Sequence, residues 1–312
     1  MKRNQRGQLA LVPVNARFAI GARMRIHHLN CISACPLGGA LMDGHTHGLR
    51  GRLACHCLLV ELESMLVLVD TGYGLRDAAD PPARLSRFFL ALMSPEFREE
   101  MTAIRQIERL GFDARDVRHI VLTHLDFDHA GGLDDFPHAA VHMLASEREA
   151  ALAQRTLLDR MRYRPQQWST RGQWRVYSPQ GSEWFGFPCV RELAGIPPEM
   201  LLVPLIGHTL GHAGVGIRHR GEHWLLQAGD AYFYHSEMNI ERPYCTPGLR
   251  FYQWMMQKDG KARVANQRRL RQLKAQCADA VQIVSSHDTN EFETFAHHAV
   301  GMPIDRLAPH GA

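Results

Sequence analysis

No apolar run in this 312-residue chain approaches the roughly 18–20 residues that a membrane-crossing helix needs, so no membrane partner is expected. A disulfide framework is missing as well: the seven cysteines are odd in number and scattered. Cys55 and Cys57 have no second pair at zinc-finger spacing, so they, with Cys31 and Cys35, are expected as reduced thiols in the core. No linker rich in Pro, Gly or Ser divides the chain, and one domain over residues 23–312 is expected. Strong charge is lacking too: a net +4 is too mild to suggest a nucleic-acid partner. The nucleophile pattern GxSxG does not occur. A secretion signal is also wanting, because in "MKRNQRGQLALVPVNARFAIGARM" the apolar stretch is six residues long, contains Pro13 and is soon followed by Arg17. Residues 1–22 are expected to form an N-terminal extension, a flexible arm, on a cytoplasmic protein.

What remains is ordinary for a globular chain, 45% hydrophobic and 22% charged, except for 19 histidines. Their placement matters more than their number. Five apolar runs read as buried strands, and each ends in a polar cluster. "MLVLV" runs into Asp70-Thr71-Gly72, "HIVLT" into "HLDFDH" (124–129), and "LLVPLI" into "GHTLGH" (207–212). "WLLQA" runs into Gly229-Asp230, and "VQIVS" into Ser286-His287-Asp288. Polar loops at the carboxyl ends of strands are how α/β folds build sites. Between them, "SPEFREEMTAIRQIERLG" (94–111) reads as a serine-capped helix, and Ser146 and Glu149 stand at capping-box spacing. Two stretches, "CHCLLVELESMLVLVDTG" and "AGVGIRHRGEHWLLQAGD", each read as strand, tight turn and strand ending on an aspartate, hinting at two similar halves.

"HLDFDH" sets four polar side chains at i, i+2, i+4 and i+5. Neither a regular helix nor a strand gathers all four, but a tight loop at a strand end does, with Gly131 and Gly132 letting the backbone turn sharply. Imidazoles and carboxylates at that density need a cation between them. His208, Asp230 and His287, each closing a strand, add ligand types suited to a divalent first-row metal.

The ordered set "VDTG", "HLDFDH", "GHTLGH", "GD" and "SSHD" resembles the metallo-β-lactamase superfamily over about residues 24–300, and within it is most similar to the N-acyl homoserine lactone lactonase-like branch. The resemblance implies a four-layered αβ/βα sandwich, an α/β fold of two mixed sheets with helices outside. It implies two divalent ions, zinc foremost with manganese or iron as alternatives. One would take His124, Asp126 and His208, the other Asp128, His129 and His287, with Asp230 between them. Asp70, Thr209 and His212 would support these ligands from behind. The implied activity is a hydrolase in which a hydroxide shared by the two ions attacks the carbonyl of a lactone or other ester, with Asp128 and Asp230 in the catalytic centre. Similar lactonases carry a substrate-steadying tyrosine three residues after the bridging aspartate. Here that residue is Phe233, which leaves Tyr232 and Tyr234 as the candidates.

Asp126 is a second departure from the family pattern. Three carboxylates against two divalent ions leave a formal +1 where two would leave +2, so a less acidic bound water is expected, and a hard oxygen ligand in place of a nitrogen biases the site toward manganese or iron. A carboxylate in that slot also keeps open a redox di-iron protein of the flavodiiron type, although the chain has no flavodoxin-like phosphate loop. A phosphodiesterase is the third reading, with "KARVANQRRLRQLKAQ" (261–276) as its basic face. The segment 153–184, with six arginines, three tryptophans and little periodicity, reads as an insertion, either solvated or serving as a lid or rim over the site. The apolar stretch "LSRFFLALM" (85–93) is compatible with core, with the surface of a homodimer, or with a wall for an acyl chain.

Overall fold

Twelve strands in two six-stranded sheets make up the framework of a computed structural model of the protein, which describes residues 24–169 and 172–304. The expected N-terminal extension, residues 1–22, lies outside the described residues. The first sheet runs in sequence order through β1 (Arg25–Asn30), β2 (His56–Glu61), β3 (Leu66–Val69), β4 (Val117–Val121), β5 (Ala140–Leu144) and β6 (Trp174–Tyr177). The second contains β7 (Ser182–Trp184), β8 (Phe187–Glu192), β9 (Met200–Pro204), β10 (Ala213–Arg220), β11 (His223–Gln227) and β12 (Val281–Val284), in the order 12-11-10-9-8-7.

Both faces of the central strands are covered, which is why they read as unbroken apolar runs rather than as alternating ones. Val67 and Val69 of β3 point between the sheets, where they join Val121, Leu202, Val215, Leu225 and Val284. Leu66 and Leu68 point outward and pack with Ile107 of helix Ala103–Arg109 and Ala151 of helix Ala145–Ala153. On the far side, Val203, Leu226 and Ile283 meet Leu270 and Leu273 of helix Gly260–Gln276. Each such side chain, removed fully from water, contributes about 1.5–3 kcal/mol. The layers are helix, sheet, sheet, helix, as the α/β sandwich expectation has it.

The two similar stretches are equivalent in topology. β2 and β3 form an antiparallel pair, and β3 lies parallel to β4. β10 and β11 form an antiparallel pair, and β11 lies parallel to β12. The polar clusters after β3, β4, β11 and β12 therefore emerge at one edge of the sandwich, and the loop after β9 reaches them.

Local expectations fare less evenly. The helix foreseen over 94–111 is confined to Ala103–Arg109, preceded by a 3-10 turn at Glu99–Met101, and Ser94 ends the previous helix in a left-handed conformation, φ 41°. Ser146 and Glu149 form no capping box, because their helix already starts at Ala145 with Leu144 at the cap position. Segment 153–184 carries regular elements among its described residues. It supplies helix Leu157–Arg162, then β6 for one sheet and β7 for the other. Cys31, Cys55 and Cys57 are buried thiols, Cys35 is half-buried, and none forms a disulfide.

Candidate metal centre

Asp70 follows β3 in a left-handed conformation, φ 55°, which few residues other than glycine, asparagine and aspartate tolerate. That turn points its buried carboxylate at the loop after β4. Oδ1 accepts from the Thr123 amide at 2.8 Å, and Oδ2 accepts from the Thr123 hydroxyl and from His129 Nδ1, both at 2.8 Å. Having donated to Asp70, the Thr123 oxygen accepts from His124 Nδ1 at 2.9 Å. His287 Nδ1 donates to the Ala54 carbonyl at 2.7 Å. Each of these three rings thus has Nδ1 bonded outward and turns Nε2 to a common centre.

Asp230 lies in that centre, positioned by its own backbone. His212 donates from Nδ1 to the Leu205 carbonyl at 3.0 Å and accepts the Asp230 amide on Nε2 at 2.8 Å. Gly229 is held at φ 57°, and a Cβ there would press on His212 Nε2. Oδ1 of Asp230 faces His129 Nε2 at 3.3 Å and His287 Nε2 at 3.2 Å. Oδ2 faces His208 Nε2 at 3.4 Å and His124 Nε2 at 3.8 Å. One carboxylate therefore spans two groups of ligand atoms. Asp128 joins the first group, 3.8 Å from His287 Nε2. Asp126 joins the second, 3.1 Å from His208 Nε2 and 3.4 Å from His124 Nε2. The glycines after this loop serve close approach rather than an unusual φ: a Cβ on Gly131 would collide with Asp77 and the Gly72 carbonyl.

Donor chemistry and burial fit a divalent cation. His124, Asp126 and His208 offer ligand atoms within 4.8 Å of one another, and so do Asp128, His129 and His287. His124 Nε2, His129 Nε2 and Asp230 Oδ1 are buried without a hydrogen-bond partner, a costly state for polar atoms unless a cation meets them. Burial opposes the charge of Asp230, yet the imidazoles of His287, His129 and His208 outweigh it and hold its pKa well below the usual carboxylate range. The reverse holds for His129: burial disfavours its protonation, but Asp230, Asp70 and Asp128 keep its pKa well above the ordinary imidazole value.

Three contributors escaped the sequence reading. Glu147, fully buried, accepts from the Leu125 amide at 3.0 Å, the Thr209 hydroxyl at 2.5 Å and the Gly211 amide at 3.1 Å, so it ties the loop after β4 to the loop after β9. Tyr252 packs against Phe233 with ring centroids 5.6 Å apart, and burial, then the charges of Asp128, Asp126 and Asp230, push its phenol well above the ordinary value. The third is Arg162, at the end of helix Leu157–Arg162, whose next residue, Tyr163, makes an isolated antiparallel bridge with Asp126. Arg162 donates from Nε to Asp126 Oδ1 and from Nη2 to Asp126 Oδ2, both at 2.7 Å. No motif announces it; it is one of six arginines in a segment without periodicity.

The two tyrosines proposed for substrate separate. Tyr232 is a correction: it is wholly buried, its hydroxyl donates to Glu291 at 2.9 Å, and it packs among Leu270, Leu273 and Ile283, away from the ligand atoms. Tyr234 lines a narrow cleft with Phe233, His287 and Asp288. Phe233 itself stacks on His287, with centroids 4.9 Å apart and planes at 19°.

Comparison with known proteins agrees with this geometry. The metallo-beta-lactamase superfamily profile matches residues 50–271. A "probable metallo-hydrolase" of Mycobacterium tuberculosis is 44% identical over 217 residues, 70% of this chain and 65% of its own. The chain thus spans just under two thirds of that relative's length. An N-acyl homoserine lactonase of Bacillus thuringiensis is 32% identical over 123 residues, 38% of this chain and 49% of its own. The solved structure of an N-acyl homoserine lactone hydrolase, with the product N-hexanoyl-L-homoserine at its catalytic metal centre, superposes with a TM-score of 0.65 at 20% identity, over 88% of this chain and 96% of that one. With two six-stranded sheets and histidines and aspartates gathered at their shared edge, this chain belongs to the metallo-beta-lactamase superfamily.

Proposed function

We propose that the protein is a metal-dependent hydrolase that opens a lactone or cleaves another carboxylic ester. The observation that carries this reading is the arrangement around Asp230, whose two oxygens each face a pair of buried imidazoles. Asp128, His129 and His287 would hold one divalent ion and His124, Asp126 and His208 the other, with Asp230 shared; zinc suits this nitrogen and oxygen set, and manganese or iron is an alternative. Bound there, such ions supply an acidified water for attack and a Lewis acid for the carbonyl oxygen.

The chain's own residues do the rest. Asp70 and Thr123 hold the proton of His129 and His124 on Nδ1, so neither ring turns away. Phe233, stacked on His287, closes one side of the centre to water and offers an apolar face. Phe89 of helix Arg87–Met93 packs on Phe127 at 4.1 Å, and Met93 of the same helix clusters with Phe233 and Leu249. This favours the apolar stretch 85–93 as a wall for an acyl group. With Phe233 in place of the lactonase tyrosine, Tyr252, packed on Phe233 with ring centroids 5.6 Å apart, is the neighbouring phenol suited to steady a substrate oxygen. Lactone ring opening by metal-loaded protein, abolished in Asp128→Asn and His287→Ala, is the expected result. Fully metallated protein that leaves lactones, aryl esters and thioesters untouched would overturn the proposal.

A further inference from the structure

Arg162 carries five N–H donors, and each faces a polar atom. Nε and one Nη2 hydrogen take the two oxygens of Asp126 at 2.7 Å. The other Nη2 hydrogen faces His208 Nε2 at 2.7 Å. Nη1 donates to the Met256 carbonyl at 2.8 Å and to the His208 carbonyl at 3.3 Å. The side chain has no solvent exposure. It is a fixed cation.

Its contact with His208 decides the chemistry. His208 Nε2 lies 2.7 Å from Arg162 Nη2 and 3.1 Å from Asp126 Oδ2, so it either accepts from the guanidinium or donates to the carboxylate; in both arrangements it is committed to the Arg162–Asp126 pair, and Nδ1 has no partner of its own. An imidazole nitrogen has one in-plane bonding direction. If the pair holds it, a metal ion cannot. Arg162 therefore engages two of the three ligands of the group His124, Asp126 and His208. No arginine or lysine contact is found at Asp128, His129 or His287 among the described residues, and His129 Nε2 has no hydrogen-bond partner there.

Resting on the hydrolase reading above, we infer that Arg162 stands in for the metal at His124, Asp126 and His208, so that the two positions fill unequally. The ion at Asp128, His129, His287 and Asp230 binds first. A second binds only by displacing the guanidinium from Asp126 and His208. Because separating a buried, hydrogen-bonded ion pair is heavily penalised, the second ion binds at least about a hundredfold more weakly than the first. The same pair fixes the charge of the site: Arg162 cancels the extra carboxylate that Asp126 introduces.

Metal content after equilibrium dialysis against buffered free zinc, read by elemental analysis, tests this without reference to turnover. The native chain is expected to retain about one zinc at a free concentration where Arg162→Met retains about two. Arg162→Met leaves Asp126 unpaired in the apoprotein, so the double variant Asp126→His with Arg162→Met, which has no unpaired charge there, serves as the second probe and is also expected to hold about two. Two ions bound by the native chain within about tenfold of each other would overturn the inference and leave the hydrolase reading intact. So would a folded double variant that stays at one. A native chain that binds no divalent ion under any of these conditions removes the hydrolase reading itself.

Discussion

Replacing Glu291 by glutamine tests the assignment of Tyr232 to the framework through the proton balance of folding. Glu291 sits on helix Thr289–Ala296, accepting the Tyr232 hydroxyl at 2.9 Å and the Ser285 amide at 2.8 Å. Burial, then the charge of Asp288, push its pKa from 4.5 to about 7. In the unfolded chain the carboxyl ionises near 4.5, so between about 4.5 and 7 the folded chain holds more protons than the unfolded one. Folding stability then falls as pH rises through this window. A displacement of about 2.5 pH units at ~1.36 kcal/mol each makes the fall about 3 kcal/mol. Glutamine does not titrate and preserves the shape, so Glu291→Gln gains about 3 kcal/mol relative to the native chain on going from pH 4.5 to pH 8. Urea unfolding of both proteins across this range, with chelator present, gives the difference directly, and groups common to both cancel. A variant-minus-native difference that stays flat between pH 5 and 8 would refute the reasoning. The companion variant Tyr232→Phe is expected to lower stability while leaving kcat of metal-loaded protein within about twofold, since its hydroxyl hydrogen goes to Glu291.

Three further substitutions probe the supports of the centre. Asp70→Asn takes the carboxylate from His129 Nδ1 and should weaken metal binding by about 10–100-fold in a chelator competition, with the fold retained. Glu147→Ala strands the Leu125 and Gly211 amides and the Thr209 hydroxyl and should destabilise the chain by about 3 kcal/mol or more in urea unfolding. Tyr252→Phe should cut kcat of lactone opening by about 10–100-fold at unchanged metal content; an unchanged kcat would place Tyr252 in the wall only.

The His/Asp cluster is legible in the sequence wherever one of its residues closes a strand. β3 is buried throughout, and so are the carboxyl-terminal ends of β4, β11 and β12, so each ends in an apolar stretch after which a polar cluster stands out. Asp70, His124, His208, Asp230 and His287 each stand just after such a stretch. Helix ends were less readable, because Leu144 and Thr102 take the cap positions without a side-chain cap bond, and tertiary packing fixes where those helices start. Glu147, Arg162 and Tyr252 carried no local signal. Each is one polar or aromatic residue on a helix whose neighbours are equally polar or aromatic, and only the fold brings Glu147 and Arg162 to the loops after β4 and β9 and Tyr252 to Phe233 after β11.

Asp126 shows why a ligand set cannot be weighed one residue at a time. Alone, a third carboxylate lowers the formal charge of the site, from which a less acidic water follows, and adds a hard oxygen ligand that suits manganese or iron. In the fold, burial opposes its charge, and Arg162, ahead of His124, more than offsets burial and keeps the pKa well below the carboxylate range. The added negative charge arrives already neutralised. With Arg162 in place the site carries the same net charge as one with two aspartates, and the expectation of a less acidic water loses the charge on which it rested. What Asp126 changes instead is occupancy. A histidine in its slot would offer Arg162 no carboxylate and leave a buried guanidinium without a counterion, a state that is strongly destabilising. Aspartate at 126 and arginine at 162 are therefore one feature divided between two segments 36 residues apart.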